Sequence, residues 1–457
     1  MRDYRQESFW FTNGEMDLSP RPPLLGDQRA DVGIVGGGFG GLWTAYALKQ
    51  RDPGLEIAIC ESDIVGAGAS GRNGGWCMGA LSGLPGLLQD PRHAAGAVGL
   101  QRRMFAAVAE IGKTVADEKI DCDFRESGAL RLASLPEHLA AIEKSLQNFR
   151  RVGFDSSDFA FLNETEVARK IHSRQFLGAL YARHSAVLNP GKLVRGLATA
   201  LERMGVRIFE DSRATEISAG RVVTARGSLR AEKVVVATEG YTPLLAGRKR
   251  RLIPVHSMMI ATAPIAPEIW QEIGLSGRET FADNRRITVY GQRTADHRIA
   301  FGGRGLYFFG SRPVSHFAAD NPAFGEVRRA MLSLVPQLRD VPITHRWGGP
   351  LGVPRDWRPA YGVDDRSGVA FLGGFVGEGV AGAQLLGQAL ADRLLGRANE
   401  LEALPFLHKK FPNWEPEPLR WLGVSLVRRM GEVADRAAFA GRRNRLAAAL
   451  FEKFAAR

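Results

Sequence analysis

The sequence predicts an α/β fold in which a parallel sheet carries nucleotide-binding loops and a second domain interrupts the first. The 457-residue chain is longer than one compact core usually allows. Its 53 glycines make up about 12% of the residues, against roughly 7% in an average protein. Three times, a short apolar run is followed by a glycine-rich loop and then by helical sequence. This order of elements is typical of α/β domains, whereas the 45% hydrophobic and 24% charged composition excludes a disordered or fibrous chain.

The first strand–loop–helix unit is a dinucleotide-binding fingerprint. Val32–Val35 predicts a strand, Leu42–Leu48 predicts a helix, and a second strand, Ile57–Cys60, ends at Glu61. Between the first strand and the helix lie Gly36, Gly38, Phe39, Gly40 and Gly41, which match GxGxxG. The free amides at the helix N-terminus are expected to bind phosphate, and Glu61 the adenosine ribose. A carboxylate at this position disfavours a 2′-phosphate, so NADP is not expected.

A second glycine-rich loop follows Glu61 directly, where an NAD dehydrogenase would continue into its next helix. This loop favours a larger cofactor, with a flavin ring beside the pyrophosphate. We expect Arg72 to pair with phosphate and Asn73 to hydrogen-bond the flavin edge; the alternatives are a surface arginine and a turn-forming asparagine. The residues predicted to bind the cofactor here are Ser70, Arg72, Asn73, Gly74 and Gly75.

Two later segments support a flavin. Lys233–Thr242 predicts a buried strand and a turn, and Gly368–Gly396 predicts a strand, a glycine loop and a helix. The N-terminus of that helix, near Gly379, is expected to face the flavin pyrimidine and to favour an anionic reduced flavin. The predicted cofactor-binding residues of these segments are Ala237, Thr238, Gly374, Gly377, Gly379 and Val380.

The order of these motifs resembles the FAD-dependent D-amino-acid-oxidase superfamily, which includes glycine and sarcosine oxidases. The most similar branch is that of γ-glutamylputrescine-oxidase-like proteins. The motifs that carry the resemblance are VGGGFGGL at Val35–Leu42, GASGRNGG at Gly68–Gly75, VVVATEGYTPLL at Val234–Leu245, FGGR at Phe301–Arg304 and WGGPLGVPRDWRP at Trp347–Pro359. The resemblance implies a Rossmann-like FAD-binding domain of the glutathione-reductase type and an inserted α+β substrate domain with an antiparallel sheet. It also implies that the backbone near Ala214 contacts the adenine.

The domain boundaries follow from the resemblance and from the distribution of glycine. We expect a discontinuous FAD-binding domain at 1–85, 186–250 and 345–400, a substrate domain at 86–185 and 251–344, and a basic helical C-terminal extension at 401–457.

The resemblance also implies a reaction. A C–N bond of a small amine or (N-substituted) amino acid is oxidised by hydride transfer to flavin, the imine is hydrolysed, and oxygen is reduced to hydrogen peroxide. The alternative is a dehydrogenase that passes electrons to a quinone or a protein. Monomeric sarcosine oxidases activate oxygen with a lysine, and this chain has no lysine between Lys249 and Lys409. Covalent members of the resembled superfamily attach flavin through a late cysteine or an early histidine. No cysteine follows Cys122, and Arg72 and Asn73 occupy the early position, so the resemblance implies non-covalent FAD.

Four residues are candidates for contact with the substrate. Arg304 is expected to anchor a carboxylate, and Tyr290 and Trp347 to line an amine pocket by cation–π contact. His256 is the fourth candidate. The alternative interpretation is structural: a half-buried histidine with satisfied hydrogen bonds, and aromatic rings in a core.

The remaining features of the sequence exclude several classes. No metal-binding or nucleic-acid-binding motif is present, and neither a secretory signal nor a long apolar run, so cytoplasmic localisation is expected. The net charge is +12, and residues 401–457 contain 11 basic and 6 acidic residues, a net charge of +5. Two interpretations of this basic extension remain open: a membrane-surface or partner-binding helix, or a helix that packs on the FAD domain.

Overall fold

The chain folds around two eight-stranded sheets and one three-stranded sheet. The computed structural model describes residues 3–12, 16–173 and 175–455, and the side chain of Arg304 lies outside the described part. The strands, in chain order, are β1 (Gly26–Val35), β2 (Ile57–Cys60), β3 (Trp76–Met78), β4 (Arg125–Glu126), β5 (Ala129–Leu132), β6 (Phe159–Asn163), β7 (Gly178–Ala182), β8 (Ser185–Val187), β9 (Arg207–Phe209), β10 (Ala214–Ser218), β11 (Arg221–Thr224), β12 (Gly227–Val236), β13 (Ile253–Thr262), β14 (Thr280–Asp283), β15 (Val289–Arg293), β16 (Ile299–Tyr307), β17 (Ile343–Val353), β18 (Ala360–Val363) and β19 (Ala370–Gly373). The helices are α1 (Phe39–Arg51), α2 (Leu84–Gln89), α3 (Ala94–Asp117), α4 (Pro136–Arg151), α5 (Glu164–Ala168), α6 (Pro190–Arg203), α7 (Pro267–Ile273), α8 (Pro322–Leu334), α9 (Gly379–Leu394), α10 (Leu419–Phe439) and α11 (Arg445–Phe454).

The first sheet has the predicted parallel core. β1 lies between β2 and β12 and is parallel to both, with β9 beyond β2 and β19 beyond the end of β12. β10 and β11 extend the sheet through antiparallel pairing. The four residues Val32–Val35 are all buried, and all but Gly33 have apolar side chains, as expected for a parallel strand covered on both faces. The Rossmann-like parallel sheet predicted from the sequence is therefore confirmed.

Helix α3 packs in the core of the first domain, although its residues lie in the segment that the sequence assigns to the second. Leu100, Met104 and Val108 form an apolar stripe at helical spacing, and this stripe is buried in the same core as α1 and α9. α3 therefore packs with elements of the first domain, and the boundary at residue 86 stays a prediction.

The second sheet has the order β17-β13-β16-β15-β14-β5-β7-β6. Its pairs are antiparallel except for β14 with β5. Helices α7 and α8 bury Trp270 and Met331 in the core of this domain. This sheet is the antiparallel sheet that the sequence predicts for the substrate domain. The third sheet, β3-β8-β4, connects the second glycine loop to the strand that leads into α6.

The C-terminal extension contacts both domains. Phe406 and Leu407 are buried in the first core, whereas α10 contacts β16 of the second sheet. Asp435 of α10 accepts hydrogen bonds from the backbone amides of Arg286 (3.0 Å) and Ile287 (2.9 Å). These bonds anchor α10 to the second domain, while its Val424 packs against a cluster that includes Val353 and Val376 of the first, so both interpretations of the extension remain open.

Candidate active site

The first glycine loop is a tight turn between β1 and α1 that tolerates no side chain at two positions. Gly36 has a φ of +112°, and a Cβ there would lie 2.5 Å from the carbonyl oxygen of Ala237. A Cβ on Gly41 would lie 2.0 Å from the carbonyl oxygen of Gly36. Helix α1 begins at Phe39, directly after Gly38, which has no side chain to cap it, so the positive end of the helix faces the turn and favours phosphate.

Glu61 directly follows β2 and lies beside this turn. One carboxylate oxygen accepts a hydrogen bond from the amide of Gly37 (2.7 Å), and the other accepts bonds from the amide of Asp63 and the hydroxyl of Ser62 (both 3.0 Å). Burial raises the pKa of Glu61, against the effect of these bonds. The amide of Ser212 donates to the Glu61 carbonyl (2.7 Å), which brings the start of β10, at Ala214, to the same end of the sheet.

The second glycine loop folds against the first. The Ser70 hydroxyl accepts a hydrogen bond from the amide of Phe39 (2.9 Å), which joins the two loops at the N-terminus of α1. Asn73 uses its side chain locally: its amide donates to the Ser70 carbonyl (2.8 Å), and its oxygen accepts from the amide of Gly75 (2.8 Å). Both polar atoms of the Asn73 side chain therefore stabilise the turn, as the alternative interpretation of this residue expects. Gly74 is needed for space, since a Cβ there would lie 2.5 Å from the ring of Tyr290.

Arg72 does not have the role that the sequence suggested. Its guanidinium is buried and forms an ion pair with Glu7, and it donates to the carbonyls of Ala67 (2.6 Å) and Ser315 (2.8 Å). Arg72 thus ties the N-terminal segment to the second glycine loop and to the loop after β16. Because its donors are used in this way, a phosphate contact does not fit the arrangement.

The turn after β12 closes the other side of the first loop. The Ala237 amide donates to the carbonyl of Val35 (2.9 Å), and the Thr238 hydroxyl bonds that of Thr242 (2.9 Å). Next comes Glu239, which the sequence analysis did not select. Its Oε1 accepts from the amide of Phe375 (2.9 Å), and burial raises its pKa to about 7.

The third glycine loop, between β19 and α9, faces this turn. Gly374 has a φ of +76°, and α9 begins at Gly379, as predicted. Gly377, Gly379 and Val380 line a small cavity of about 60 Å³ together with Phe39, Gly40, Ser70 and Glu239. The three glycine loops therefore meet around one space.

A larger cavity of about 480 Å³ continues from this space toward the second sheet. Both cavities have Ala69, Asn73, Leu351 and Gly377 in their walls. The larger one extends to Leu130, Leu180, Ser257 and Tyr290 of the second domain. A volume of this size accommodates a small ligand, and the walls are mostly apolar with a few polar groups.

Arg131 and Glu378 are charged groups in the wall of the larger cavity, and the sequence analysis selected neither. Arg131 interrupts the apolar strand β5, so its alternating position turns it away from the buried Leu130 and Leu132. Water reaches its side chain from the cavity, yet desolvation by the surrounding protein lowers its pKa, while the charge of Glu378 acts in the opposite direction. No hydrogen bond or ion pair joins the Arg131 guanidinium to another residue in the described part of the chain.

Tyr290 lies where the sequence placed a substrate contact, in the cavity wall. Its hydroxyl hydrogen-bonds the Ser257 hydroxyl, and its ring meets Trp76 edge-on, with 5.7 Å between ring centroids. Ser257 and Trp76 also line the cavity. Three aromatic or hydroxyl-bearing side chains thus form one wall.

The predictions for His256 and Trp347 do not fit the structure. His256 is fully buried on the opposite face of β13 from Ser257, where Nε2 accepts from the amide of Val314 (2.8 Å). Burial lowers its pKa to about 4. Trp347 is also buried, because Phe9 and Trp10 of the N-terminal segment cover it.

Arg304 lies in β16 opposite Ser257, but its side chain is outside the described residues, so its expected role stays a prediction.

Comparison with known proteins decides the family. The model of the FAD dependent oxidoreductase family (DAO) matches residues 31–393. The chain belongs to this family. The match spans β1 to α9 and therefore includes all three glycine loops. The FAD cofactor predicted from the sequence is confirmed.

Curated relatives cover most of the chain. It is 29% identical over 416 residues to the gamma-glutamylputrescine oxidoreductase of Escherichia coli, covering 89% of this chain and 93% of the relative. It is 27% identical over 403 residues to the probable oxidoreductase OrdL of Haemophilus influenzae, covering 85% and 88%. The structure of glycine oxidase from Geobacillus kaustophilus matches with a TM-score of 0.70 at 20% identity, covering 84% of this chain and all of that one. The last similarity shows the shared fold.

The residues around the cavities fit FAD. Glycines leave the backbone open where a side chain would fill the space, and the helix N-termini at Phe39 and Gly379 lie in its wall, where their positive dipole ends favour phosphate. Glu61 lies at one end of this cradle and the 480 Å³ cavity at the other. Within the described residues, no helix is long and apolar enough to span a membrane, and no cluster of metal-ligating side chains occurs.

Proposed function

We propose that this protein is an FAD-dependent oxidase that oxidises a C–N bond of a small amine or (N-substituted) amino acid. FAD is held non-covalently, the resulting imine is hydrolysed, and oxygen is reduced to hydrogen peroxide. The observation that carries the proposal is the continuity of the two cavities: the larger cavity begins where the three glycine loops meet and ends on the substrate sheet. The relative in Escherichia coli, a gamma-glutamylputrescine oxidoreductase, supports an amine substrate.

When bound, FAD supplies the oxidising power by accepting the electron pair of the C–H bond beside the nitrogen. The protein has to hold the amine neutral and close to the ring. The apolar walls at Leu130, Leu180 and Leu351 disfavour an ammonium ion by desolvation, so a bound amine loses its proton more readily than in water. The Tyr290–Ser257 hydroxyl pair orients polar groups of the substrate at this wall.

Arg131 and Glu378 determine which amines bind productively. The Arg131 guanidinium, which has no hydrogen-bond or ion-pair partner among the described residues, favours a carboxylate on the substrate, since the bidentate pair satisfies its donors. Glu378 lies at the N-terminus of α9, on the cofactor side of the cavity, where its carboxylate takes up the proton that a bound ammonium ion loses and hydrogen-bonds the neutral amino group. The substrate that fits both is an amine that carries a carboxylate at a distance from the reacting nitrogen.

The alternative electron acceptor is a quinone or a protein. The absence of lysine between Lys249 and Lys409 favours this alternative, since the oxygen-activating lysine of monomeric sarcosine oxidases has no counterpart there. We place the reaction in the cytoplasm and assign any membrane contact to the basic C-terminal extension.

A product assay tests the proposal and separates the acceptors. The purified protein is incubated in air with amines that do and do not carry a carboxylate, and aldehyde or oxo acid, released amine and peroxide are quantified. The proposal predicts carbonyl product and peroxide in equal amounts. Carbonyl product that forms only when a soluble quinone is added indicates the dehydrogenase, and no carbonyl product with any amine under either condition contradicts both.

A further inference from the structure

Large apolar side chains are exposed mainly in one part of the molecule. Of the ten large hydrophobic residues exposed in the described chain, seven lie in α10 and α11 or at their ends. Among them, Leu419, Leu422 and Leu426 are 61%, 52% and 56% exposed. Scattered exposed leucines need no explanation, but a concentration in two helices is a mark of an interaction surface.

The exposed leucines share one face of α10. Leu419, Leu422 and Leu426 follow one another at spacings of three and four residues, and the same face continues with Arg429 and Arg436, both exposed. We call this row the leucine–arginine stripe. No acidic residue occurs between Leu419 and Met430, and residues 419–455 contain eight basic and three acidic residues.

The basic character increases at the turn between the two helices, where Arg442, Arg443 and Arg445 are exposed. All three acids in this region are already paired: Asp435 is buried against the second domain, Glu432 lies 2.6 Å from Arg428, and Glu452 lies 3.6 Å from Arg286. The net positive charge of the surface is therefore not neutralised within the chain.

The stripe is held firmly in this exposed position. Besides the Asp435 bonds, Arg420 is buried and donates to the Tyr307 hydroxyl (2.7 Å). Gly431 allows the helices to pack closely, since a Cβ there would lie 2.8 Å from Ile287 and from Phe451. The other side of α10 is thus fixed to the protein, and the stripe faces outward.

We propose that the leucine–arginine stripe and the basic turn dock the enzyme onto the surface of an anionic lipid bilayer. Leucines that enter the acyl boundary, with arginines beside them at the depth of the headgroups, are the chemistry of interfacial membrane helices. The absence of acidic residues over the first twelve residues of α10 matches a uniformly negative surface better than a protein interface of mixed charge. The inference rests on the proposed function only for the assignment of membrane contact to this extension, and does not depend on the amine chemistry.

Vesicle sedimentation of the full-length flavoprotein tests the proposal. Protein bound to phosphatidylcholine vesicles with 30 mol% phosphatidylglycerol is compared with protein bound to pure phosphatidylcholine, at low and high salt. The triple variant R442Q/R443Q/R445Q should bind about 100-fold more weakly, at about fivefold per arginine. L422S/L426S should bind at least tenfold more weakly, since each leucine loses about half of its burial gain. The matched control is L25S, because Leu25 is 58% exposed but lies at the start of β1.

The outcomes are distinguishable. Binding to anionic vesicles that weakens in both variants and not in L25S, with flavin content and melting temperature unchanged, supports the proposal. Absence of binding to anionic vesicles overturns it. A dimer that dissociates in L422S/L426S, without vesicle binding, also overturns it and assigns the stripe to a second copy of the chain. Because sedimentation needs no turnover, a protein that binds vesicles but oxidises no amine contradicts only the proposed function.

Discussion

Replacing Gly41 by alanine perturbs the cofactor cradle at its tightest point. The new Cβ would lie 2.0 Å from the Gly36 carbonyl oxygen and 3.1 Å from a methyl group of Ile34. Real Cβ atoms approach other atoms no closer than 3.0 Å, so helix and turn must separate by at least 3.0 − 2.0 = 1.0 Å. The obstructing atom belongs to the backbone of the phosphate-binding turn and has no rotamer by which to move away.

The expected cost follows from this displacement. Overpacking of a well-packed site costs about 1–3 kcal/mol. If the strain is relieved by moving the N-terminus of α1 away from the turn, the loss appears in FAD affinity, as about a 5- to 150-fold rise in Kd. Alanine at Gly99, an exposed position of α3 with no atom within 4 Å of the new Cβ, is the matched control. It should leave FAD affinity unchanged and raise stability by up to about 1 kcal/mol.

The assay is titration of the apoprotein with FAD, followed by the quenching of flavin fluorescence, with melting curves of both variants. A Gly41→Ala protein that binds FAD with the affinity and melting temperature of the wild type would refute the reasoning. If this variant does not fold, Ser70→Ala provides a second test. It removes the acceptor of the Phe39 amide without adding an atom, and it should weaken FAD binding in a folded protein.

Four further predictions concern charged or titratable side chains. Burial raises the pKa of Glu239 in the folded protein to about 7, against 4.5 in the unfolded chain, so its contribution to stability is lost as the pH rises from 4.5 to 7. The free energy of unfolding of Glu239→Gln should therefore increase relative to that of the wild type by about 3 kcal/mol over this pH range. Burial lowers the pKa of His256 in the folded protein to about 4, against 6.5 in the unfolded chain, so its contribution to stability is lost as the pH falls from 6.5 to 4. The free energy of unfolding of His256→Gln should increase relative to that of the wild type by a similar amount as the pH falls, and flavin reduction rates should be unchanged. Glu7→Gln leaves the buried Arg72 without its counter-charge and should lower the free energy of unfolding by about 3–5 kcal/mol. A decrease below 1 kcal/mol would contradict the role of this ion pair in holding the N-terminal segment. Arg131→Met should raise KM for an amine with a remote carboxylate at least tenfold and leave KM for the carboxylate-free analogue unchanged in steady-state assays, and equal effects on both would contradict the anchor.

The cofactor cradle was predictable because its chemistry is local in sequence. Gly36, Gly41 and Glu61 lie within one βαβ unit. The contact that excludes a side chain at Gly41 is with Gly36 of the same unit, and Gly36 is required by its positive φ as well as by the distant Ala237. Arg72 shows the limit of the same reasoning. Its partner, Glu7, comes from the N-terminal segment, and no local sequence pattern predicts an ion pair between residues that are 65 positions apart.

The substrate cavity was less predictable because β13 is buried on both faces. The apolar run around His256 and Ser257 has no alternation of polar and apolar residues, so the sequence does not show which neighbour faces the cavity. Arg131 carried a usable signal, a lone charge in an apolar strand, but its significance depends on the pairing of β5 with β14 and β7. Glu239 likewise follows a buried strand directly, yet only the fold brings the Phe375 amide to it.

Anaerobic titration of the purified flavoprotein tests the central claim, that FAD in the glycine cradle and an amine in the adjoining cavity form one active site. A carboxylate-bearing amine is added stepwise, without oxygen, and the visible absorbance of the flavin is recorded. We predict that one equivalent of substrate bleaches one equivalent of flavin, and that Arg131→Met requires a higher substrate concentration for the same bleaching. A flavin that stays fully oxidised with every amine tested, in a protein that holds FAD stoichiometrically, would contradict the account.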